Sequence, residues 1–225
     1  MKIKNEAELL SMFCDKNEFR QVLRAPFLNT RYNEVWATNG HAIIRIKLER
    51  LNGEYPKDEL TLPNQECPCR KKVTIDAIEE ALKKCPQVDE EVVVQETIEC
   101  DECNGEGEVY WEYRADNGRT YSWLHDCPIC NGTGQKRPEM VRKTGRHVVD
   151  DEAIIKVGNA YIFAKYIRTL KSAMEHLNVM SVEMLFNPAK KMNEFAIGDI
   201  RIGLSTILYD EARHECSARL KLIDL

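Results

Sequence analysis

Phe163-Ala164-Lys165-Tyr166-Ile167-Arg168-Thr169-Leu170-Lys171-Ser172-Ala173-Met174-Glu175-His176-Leu177 has one apolar side and one charged side when wound as an α-helix. Phe163, Tyr166, Ile167, Leu170, Met174 and Leu177 recur at helical spacing, which predicts a helix that buries one face against a sheet. Strands to receive it follow at once. Val182, Met184 or Leu185, Phe195, Ile197, Ile200, Ile202 and Leu204 mark them, and Gly198-Asp199 forms a tight turn between two.

The same rhythm occurs earlier in the chain. Residues 1–48 read as a short strand, a helix and three further strands: Leu9, Leu10 and Phe13 give the helix its apolar face, and the turn signals Tyr32-Asn33 and Asn39-Gly40 separate strands at 27–30, 34–38 and 41–48. A polar, proline-bearing connection covers 49–68. A second unit opens on the strand Lys72–Ile75, with Asp76 as helix cap and Glu79 completing a capping box. Its helix carries Ile78, Ala81, Leu82 and Cys85 on one side and stops at Pro86. Strands at 91–99, 141–149 and 153–157 follow, the first holding Val92, Val93 and Val94. Strand, helix and then antiparallel strands thus recur three times by pattern, which predicts an α+β fold of repeated units. Residues 1–99 and 135–225 form its body, and 100–134 interrupt it.

At 225 residues, of which 43% are hydrophobic and 31% charged, the chain can bury a core without help from a metal. No apolar run is long enough to span a bilayer, so no membrane role is expected. Met1-Lys2-Ile3-Lys4-Asn5-Glu6 turns acidic within six residues, unlike a secretory or organelle leader, so a cytoplasmic location is expected. In such a reducing compartment the nine cysteines read as metal ligands or redox groups rather than disulfides. The net charge of −5 argues against a surface coated in basic residues, though not against a local basic stripe.

Two matched elements carry the chemistry. Cys100-Asp101-Glu102-Cys103-Asn104-Gly105-Glu106-Gly107 and Cys127-Pro128-Ile129-Cys130-Asn131-Gly132-Thr133-Gly134 each turn two thiolates toward one point. Together they supply the four soft ligands that tetrahedral zinc prefers, so one structural Zn²⁺ on Cys100, Cys103, Cys127 and Cys130 is predicted. The glycines allow the chain to curl closely around the ion. Thiol–disulfide cycling is the rival reading of a CxxC pair. His125, two residues before Cys127, is a spare donor beside four sufficient cysteines.

Between the knuckles, Asn117-Gly118 reads as the turn of a hairpin that places Trp111 and Tyr113 opposite Tyr121 and Trp123. The plainer reading is that these rings pack on one another as the core of a small module. The functional one is a stacking platform for single-stranded bases or peptide, aided by Arg114 and Arg119. Seven acidic residues in the segment against those two arginines disfavour phosphate.

The knuckles resemble the CxxCxGxG motif of the DnaJ cysteine-rich domain, which carries four such motifs and two zinc sites. Two motifs here imply one site. The resemblance covers 100–134 only, with no His-Pro-Asp signature, so it does not imply co-chaperone action through an Hsp70-type partner.

Cys67, Cys69, Cys85, His214 and Cys216 have poor spacing for a second site and read as loop or core residues; Cys14 and Cys85 sit at helix ends as packing residues. His41, His125, His147, His176 and His214 are scattered, with no nucleophile elbow and no phosphate-binding glycine loop. The expectation is a protein that is not an enzyme.

Arg20-Gln21-Val22-Leu23, followed by Val35-Trp36-Ala37-Thr38-Asn39-Gly40-His41-Ala42, resembles sequence in DNA sliding clamps and clamp-like proteins of phages and bacteria, where an "ATDGH" turn joins antiparallel strands. The resemblance implies a clamp-like fold that acts on DNA without catalysis, alongside replication-type proteins and as a small homo-oligomer. Lys136, Arg137, Arg142, Lys143 and Arg146, with Lys165, Arg168 and Lys171, are then the candidate nucleic-acid contacts; Lys190 and Lys191 add to the basic run. The expected function is a non-enzymatic DNA-associated adaptor carrying a zinc hairpin. The alternative is a chaperone-like module that presents the hairpin to protein or peptide.

Overall fold

The computed structural model describes residues 2–61, 69–186, 192–210 and 215–224. It divides into two compact units, one formed by 1–87 with 149–225 and the other by 88–148. The second unit extends beyond the cysteine segment on both sides.

The larger unit opens with helices α1 (Glu6–Ser11) and α2 (Gln21–Arg24), strands β1 (Phe27–Asn29), β2 (Glu34–Thr38), β3 (Ala42–Lys47), β4 (Lys57–Asp58) and β5 (Cys69–Thr74), and helix α3 (Ile75–Lys83). The smaller unit is built on β6 (Gln87–Gln95), β7 (Ile98–Glu99), β8 (Glu108–Arg114), β9 (Thr120–Asp126), β10 (Gln135–Arg137) and β11 (Met140–Val149). The chain then returns through β12 (Ile154–Val157), β13 (Ala160–Phe163), helix α4 (Ala164–His176), β14 (Ser181–Phe186), β15 (Met192–Ile197), β16 (Ile200–Ser205), β17 (Ala218–Leu220) and β18 (Ile223–Asp224).

Nine strands of the larger unit form one sheet in the order β18-β5-β14-β15-β16-β3-β2-β1-β4. Two meanders meet at its centre, where β3 and β16 pair antiparallel with Ile44 opposite Ile202. Side-chain alternation sorts the two faces. Val35, Ala37, Ile44 and Ile46 enter the main core, while Phe27, Trp36 and Ile43 form a separate cluster. In that cluster Trp36 is stacked by Tyr32 at 5.4 Å and donates its indole N–H to Glu34 at 3.1 Å.

Helix α4 forms where the apolar spacing predicts it. Ala164, Tyr166, Ile167, Leu170, Ala173 and Met174 are buried, and each large aliphatic side chain among them contributes about 1.5–3 kcal/mol. Asn178, at φ 53, ends the helix: its N–H reaches the Glu175 carbonyl and the Val179 N–H reaches that of Met174. These are the paired bonds of a Schellman stop, with asparagine in the position glycine usually takes. Helix α3 differs from expectation at its start. Its cap is Thr74, whose hydroxyl accepts the Ala77 N–H at 3.2 Å, and Asp76 lies inside the first turn.

Of the three expected repeats, the first lacks its opening strand, α1 and α2 leading straight into β1-β2-β3, and the third is complete, with β13 before α4 and β14-β15-β16 after it. The middle one is not. After α3 the chain leaves in β6, which pairs with β11 as a two-stranded ribbon. Val92, Val93 and Val94 are exposed there rather than buried. Asp89, Glu90 and Glu91 precede them, and Asp89 and Glu90 bind Lys143 and Arg146 of β11, which suits a ribbon in water. Strands β13, β12 and β17 make a small sheet of their own. No helix among the described residues is long and apolar enough to cross a membrane.

Candidate metal centre

The smaller unit has one buried cluster among the described residues, formed by Cys100, Cys103, Cys127 and Cys130 with Val109 packed against it. The four sulfurs lie within 4.8 Å of one another. Cys100 Sγ stands 3.9 Å from Cys127 Sγ, and Cys103 Sγ stands 3.8 Å from Cys130 Sγ. A tetrahedron with metal–sulfur bonds of about 2.3 Å has edges of about 3.8 Å. The donor set therefore fits a four-coordinate metal ion. All four cysteines are free thiols.

The two knuckles mirror each other 27 residues apart. Gly107 donates its N–H to Cys103 Sγ at 3.2 Å, and Gly134 donates to Cys130 Sγ at 3.2 Å. Such N–H···S bonds disperse thiolate charge and orient the ligands. The knuckles are also cross-linked, since Cys100 donates its N–H to the Gly134 carbonyl at 2.8 Å and Cys127 donates to that of Gly107 at 2.7 Å. Asn104 and Asn131 take left-handed backbone at φ 51 and 53 and contribute to each curl. The repeated Asn-Gly after each second cysteine was the visible signal for that role.

Burial opposes ionisation at Cys103 and Cys130. It pushes the Cys103 thiol up to about 11. At Cys130 burial is outweighed by the Gly134 N–H and the neighbouring thiols, which bring that thiol down to about 7. Of these two, Cys130 gives up its proton the more readily, and metal binding would release protons from thiols that hold them.

The other cysteines do different work. Burial raises Cys14 to about 11 and also raises Cys85, and their sulfurs lie 3.6 Å and 3.4 Å from the Leu10 and Ala81 carbonyls. Both are packing residues. Cys67 and His214 lie outside the described residues. His125 is on β9 against Trp111 at 5.6 Å and is no part of the sulfur cluster.

No family model matches the chain, and no curated protein matches it. The solved structures it is similar to include bacterial sliding clamps. A protein assigned as a DNA polymerase III β subunit from Eubacterium rectale is 9% identical, with 91% of this chain and 62% of that one covered at a TM-score of 0.46. The β subunit of Borrelia burgdorferi is 11% identical, over 93% and 64% at 0.42. The β clamp of Helicobacter pylori, bound to a DNA ligase peptide, is 9% identical, over 91% and 63% at 0.42. The chain therefore spans 62–64% of the length of these proteins.

The eight basic candidates fall on both units. Lys136, Arg137, Arg142, Lys143 and Arg146 belong to the smaller, and Lys165, Arg168 and Lys171 belong to α4 of the larger. Five are engaged in ion pairs: Lys136 with Asp101, Lys143 with Asp89, Arg146 with Glu90, Arg168 with Asp151, and Lys171 with Glu79 and Glu175. Among the described residues Arg137, Arg142 and Lys165 have no ion pair. Lys165 instead lies over the Phe163 and Tyr166 rings at 5.4 Å and 5.3 Å. Sequence spacing exposed the charges and hid their partners.

On the hairpin, Trp111 faces Trp123 and Tyr113 faces Tyr121, as the alternation implied. Gly118 turns the loop at φ 81, and Ala115 donates its N–H to Arg119. The rings touch, with Tyr121 and Trp123 stacked at 5.8 Å, yet they form no buried core. Trp111 is 53% exposed, Tyr113 62% and Trp123 56%.

Proposed function

We propose that this chain is a non-enzymatic, DNA-associated adaptor whose clamp-like body carries a structural zinc module of the DnaJ type. The observation that carries the reading is the doubled body: two meanders, each preceded by helix, joined into one sheet through β3 and β16. Such an arrangement serves as a scaffold. The described histidines have structural partners: His41 stacks on Tyr166, His147 meets Asp89, and His176 meets the Lys4 carbonyl. Zinc suits the module because four thiolates at tetrahedral spacing are its preferred structural set, and the ion would supply shape rather than reactivity. The protein would work in the cytoplasm beside replication-type proteins, as a small homo-oligomer.

DNA contact in this reading falls to those of the eight candidates that have no ion pair among the described residues, Arg137 and Arg142 on the smaller unit and Lys165 on the larger. A labelled duplex followed by fluorescence anisotropy tests it. Binding should be measurable at low salt, weaken with a log–log slope no steeper than about −3, and drop in Lys165→Glu and Arg142→Glu. Undetectable binding at low salt would remove DNA from the proposal.

A second reading, a module that presents its zinc hairpin to protein or peptide, is favoured by a specific observation. The hairpin rings remain exposed although they lie in register across two strands.

A further inference from the structure

Strands β8 and β9 divide their side chains cleanly. Val109, Trp111, Tyr113, Tyr121, Trp123 and His125 share one face, and Glu108, Tyr110, Glu112, Arg114, Thr120, Ser122, Leu124 and Asp126 share the other. The first face is almost wholly aromatic and carries no formal charge. The second bears three carboxylates and one guanidinium.

The electrostatic setting of that aromatic face is negative. Residues 88–148 hold thirteen Asp and Glu against seven Lys and Arg. Three of those cations are neutralised within the unit, Lys136 by Asp101, Lys143 by Asp89 and Arg146 by Glu90. On the hairpin itself Glu108, Glu112, Asp116 and Asp126 face only Arg114 and Arg119, and none of the six is in an ion pair among the described residues. A two-stranded ribbon is one backbone layer thick. Carboxylates on the reverse face therefore act on the aromatic face from within about a Debye length, ~8 Å at physiological salt.

Aromatic faces attract cations through their quadrupole, and surrounding carboxylates add to that attraction while repelling phosphate. We infer that the Trp111, Tyr113, Tyr121 and Trp123 face of the zinc hairpin docks a cationic peptide segment of a partner protein, its arginine or lysine side chains laid across the rings. This rests on the peptide-presenting reading and specifies the partner's chemistry. A nucleic-acid strand would also stack on such rings, but its phosphates would meet an uncompensated acidic surface.

Titration of the metal-loaded full chain with an arginine–glycine repeat peptide tests the proposal, with tryptophan fluorescence as readout. Trp36 is fully buried in the other unit, so the signal comes from Trp111 and Trp123. Saturable binding that weakens with salt is expected. Trp111→Leu with Trp123→Leu keeps apolar bulk and removes the π faces; because it also removes the reporting tryptophans it is followed by calorimetry, and it should weaken binding at least ~tenfold with metal content unchanged. Followed by calorimetry, Glu112→Lys should weaken it about threefold without touching a ring. Equal or tighter binding of an apolar or glutamate-rich peptide, lost in the Trp→Leu variant, would overturn the cationic assignment and leave the peptide reading standing. Ring-dependent binding of oligothymidylate without peptide binding would overturn both. Peptide binding indifferent to the Trp→Leu pair would overturn the docking face. Should that pair lose its metal, the Glu112→Lys result decides: unchanged affinity overturns the proposal.

Discussion

Gly107 approaches the Gly132 carbonyl so closely that a Cβ on Gly107 would stand 2.5 Å from the oxygen, and its backbone is left-handed at φ 83. Gly134 stands in the reciprocal position against the Gly105 carbonyl at φ 74. Each knuckle thus keys into the other through backbone, which no side-chain rotation can relieve. Gly107→Ala and Gly134→Ala should each weaken metal retention at least ~tenfold, since left-handed strain alone costs about 1–2 kcal/mol and the clash adds to it. Gly118→Ala is the control. Gly118 has the same positive φ but nothing within 4 Å, so it should lose hairpin stability and keep its metal. Competition with a chromophoric chelator reads all three, and equal retention across them would refute the keyed geometry.

Removing the metal should unfold the smaller unit and spare the larger. The four cysteines and Val109 are the buried cluster of residues 88–148, whereas the larger unit has its own core from Ile3 to Leu220. A chelator should expose 88–148 to limited proteolysis while the larger unit stays resistant. Metal uptake should release protons, and affinity should fall as pH falls, because a Cys103 thiol pushed up to about 11 must give up its proton to bind. Unchanged protease resistance after complete metal loss would show that the unit holds itself together.

What the sequence made legible was local. Helix α4 could be read because one face meets the core at every turn, and β2-β3 could be read because Asn39-Gly40 separates two alternating runs. The sulfur cluster was legible because CxxC spacing is itself the coordination geometry. Pairings between distant segments left no such mark. Nothing near Ile44 points to Ile202, yet that pairing joins the two halves of the sheet. Lys171 reads as a free helix cation until Glu79 is found beside it at 3.0 Å. The run Val92-Val93-Val94 imitates a buried strand, and only its pairing with β11 in a two-stranded ribbon explains its exposure.

The start of α3 is a case where the choice between neighbours can be measured. Asp76 and Thr74 are both acceptable caps by residue type, but only Thr74 takes extended backbone and accepts the Ala77 N–H. Thr74→Ala should cost about 1 kcal/mol, and Asp76→Ala no more than about 0.5 kcal/mol through its interaction with the helix dipole. Urea denaturation of the larger unit's signal compares them. A larger loss at Asp76 would return the cap to that position.

Glu6 ties the first turn of α1 to the chain beyond β3, and its carboxylate makes that tie sensitive to acid. It accepts the N–H groups of Asn52 at 2.7 Å and Gly53 at 2.5 Å and the Tyr55 hydroxyl at 2.9 Å. Burial works against its charge, but these donors outweigh burial and hold the carboxyl below its usual range. A depressed folded value means the ionised form is favoured by folding. The stabilisation is therefore fully present above the ordinary glutamate range, near pH 4.3, and is lost as pH falls through the lower folded value. Glu6→Gln should lose about 1–2 kcal/mol at neutral pH, because an amide cannot accept all three donors with a carboxylate's strength. The gap to the parent protein should close as the parent's own Glu6 protonates. Urea midpoints measured from neutral pH downward follow this directly, and a gap that stays constant into acid would show that the carboxylate's charge contributes nothing to the tie.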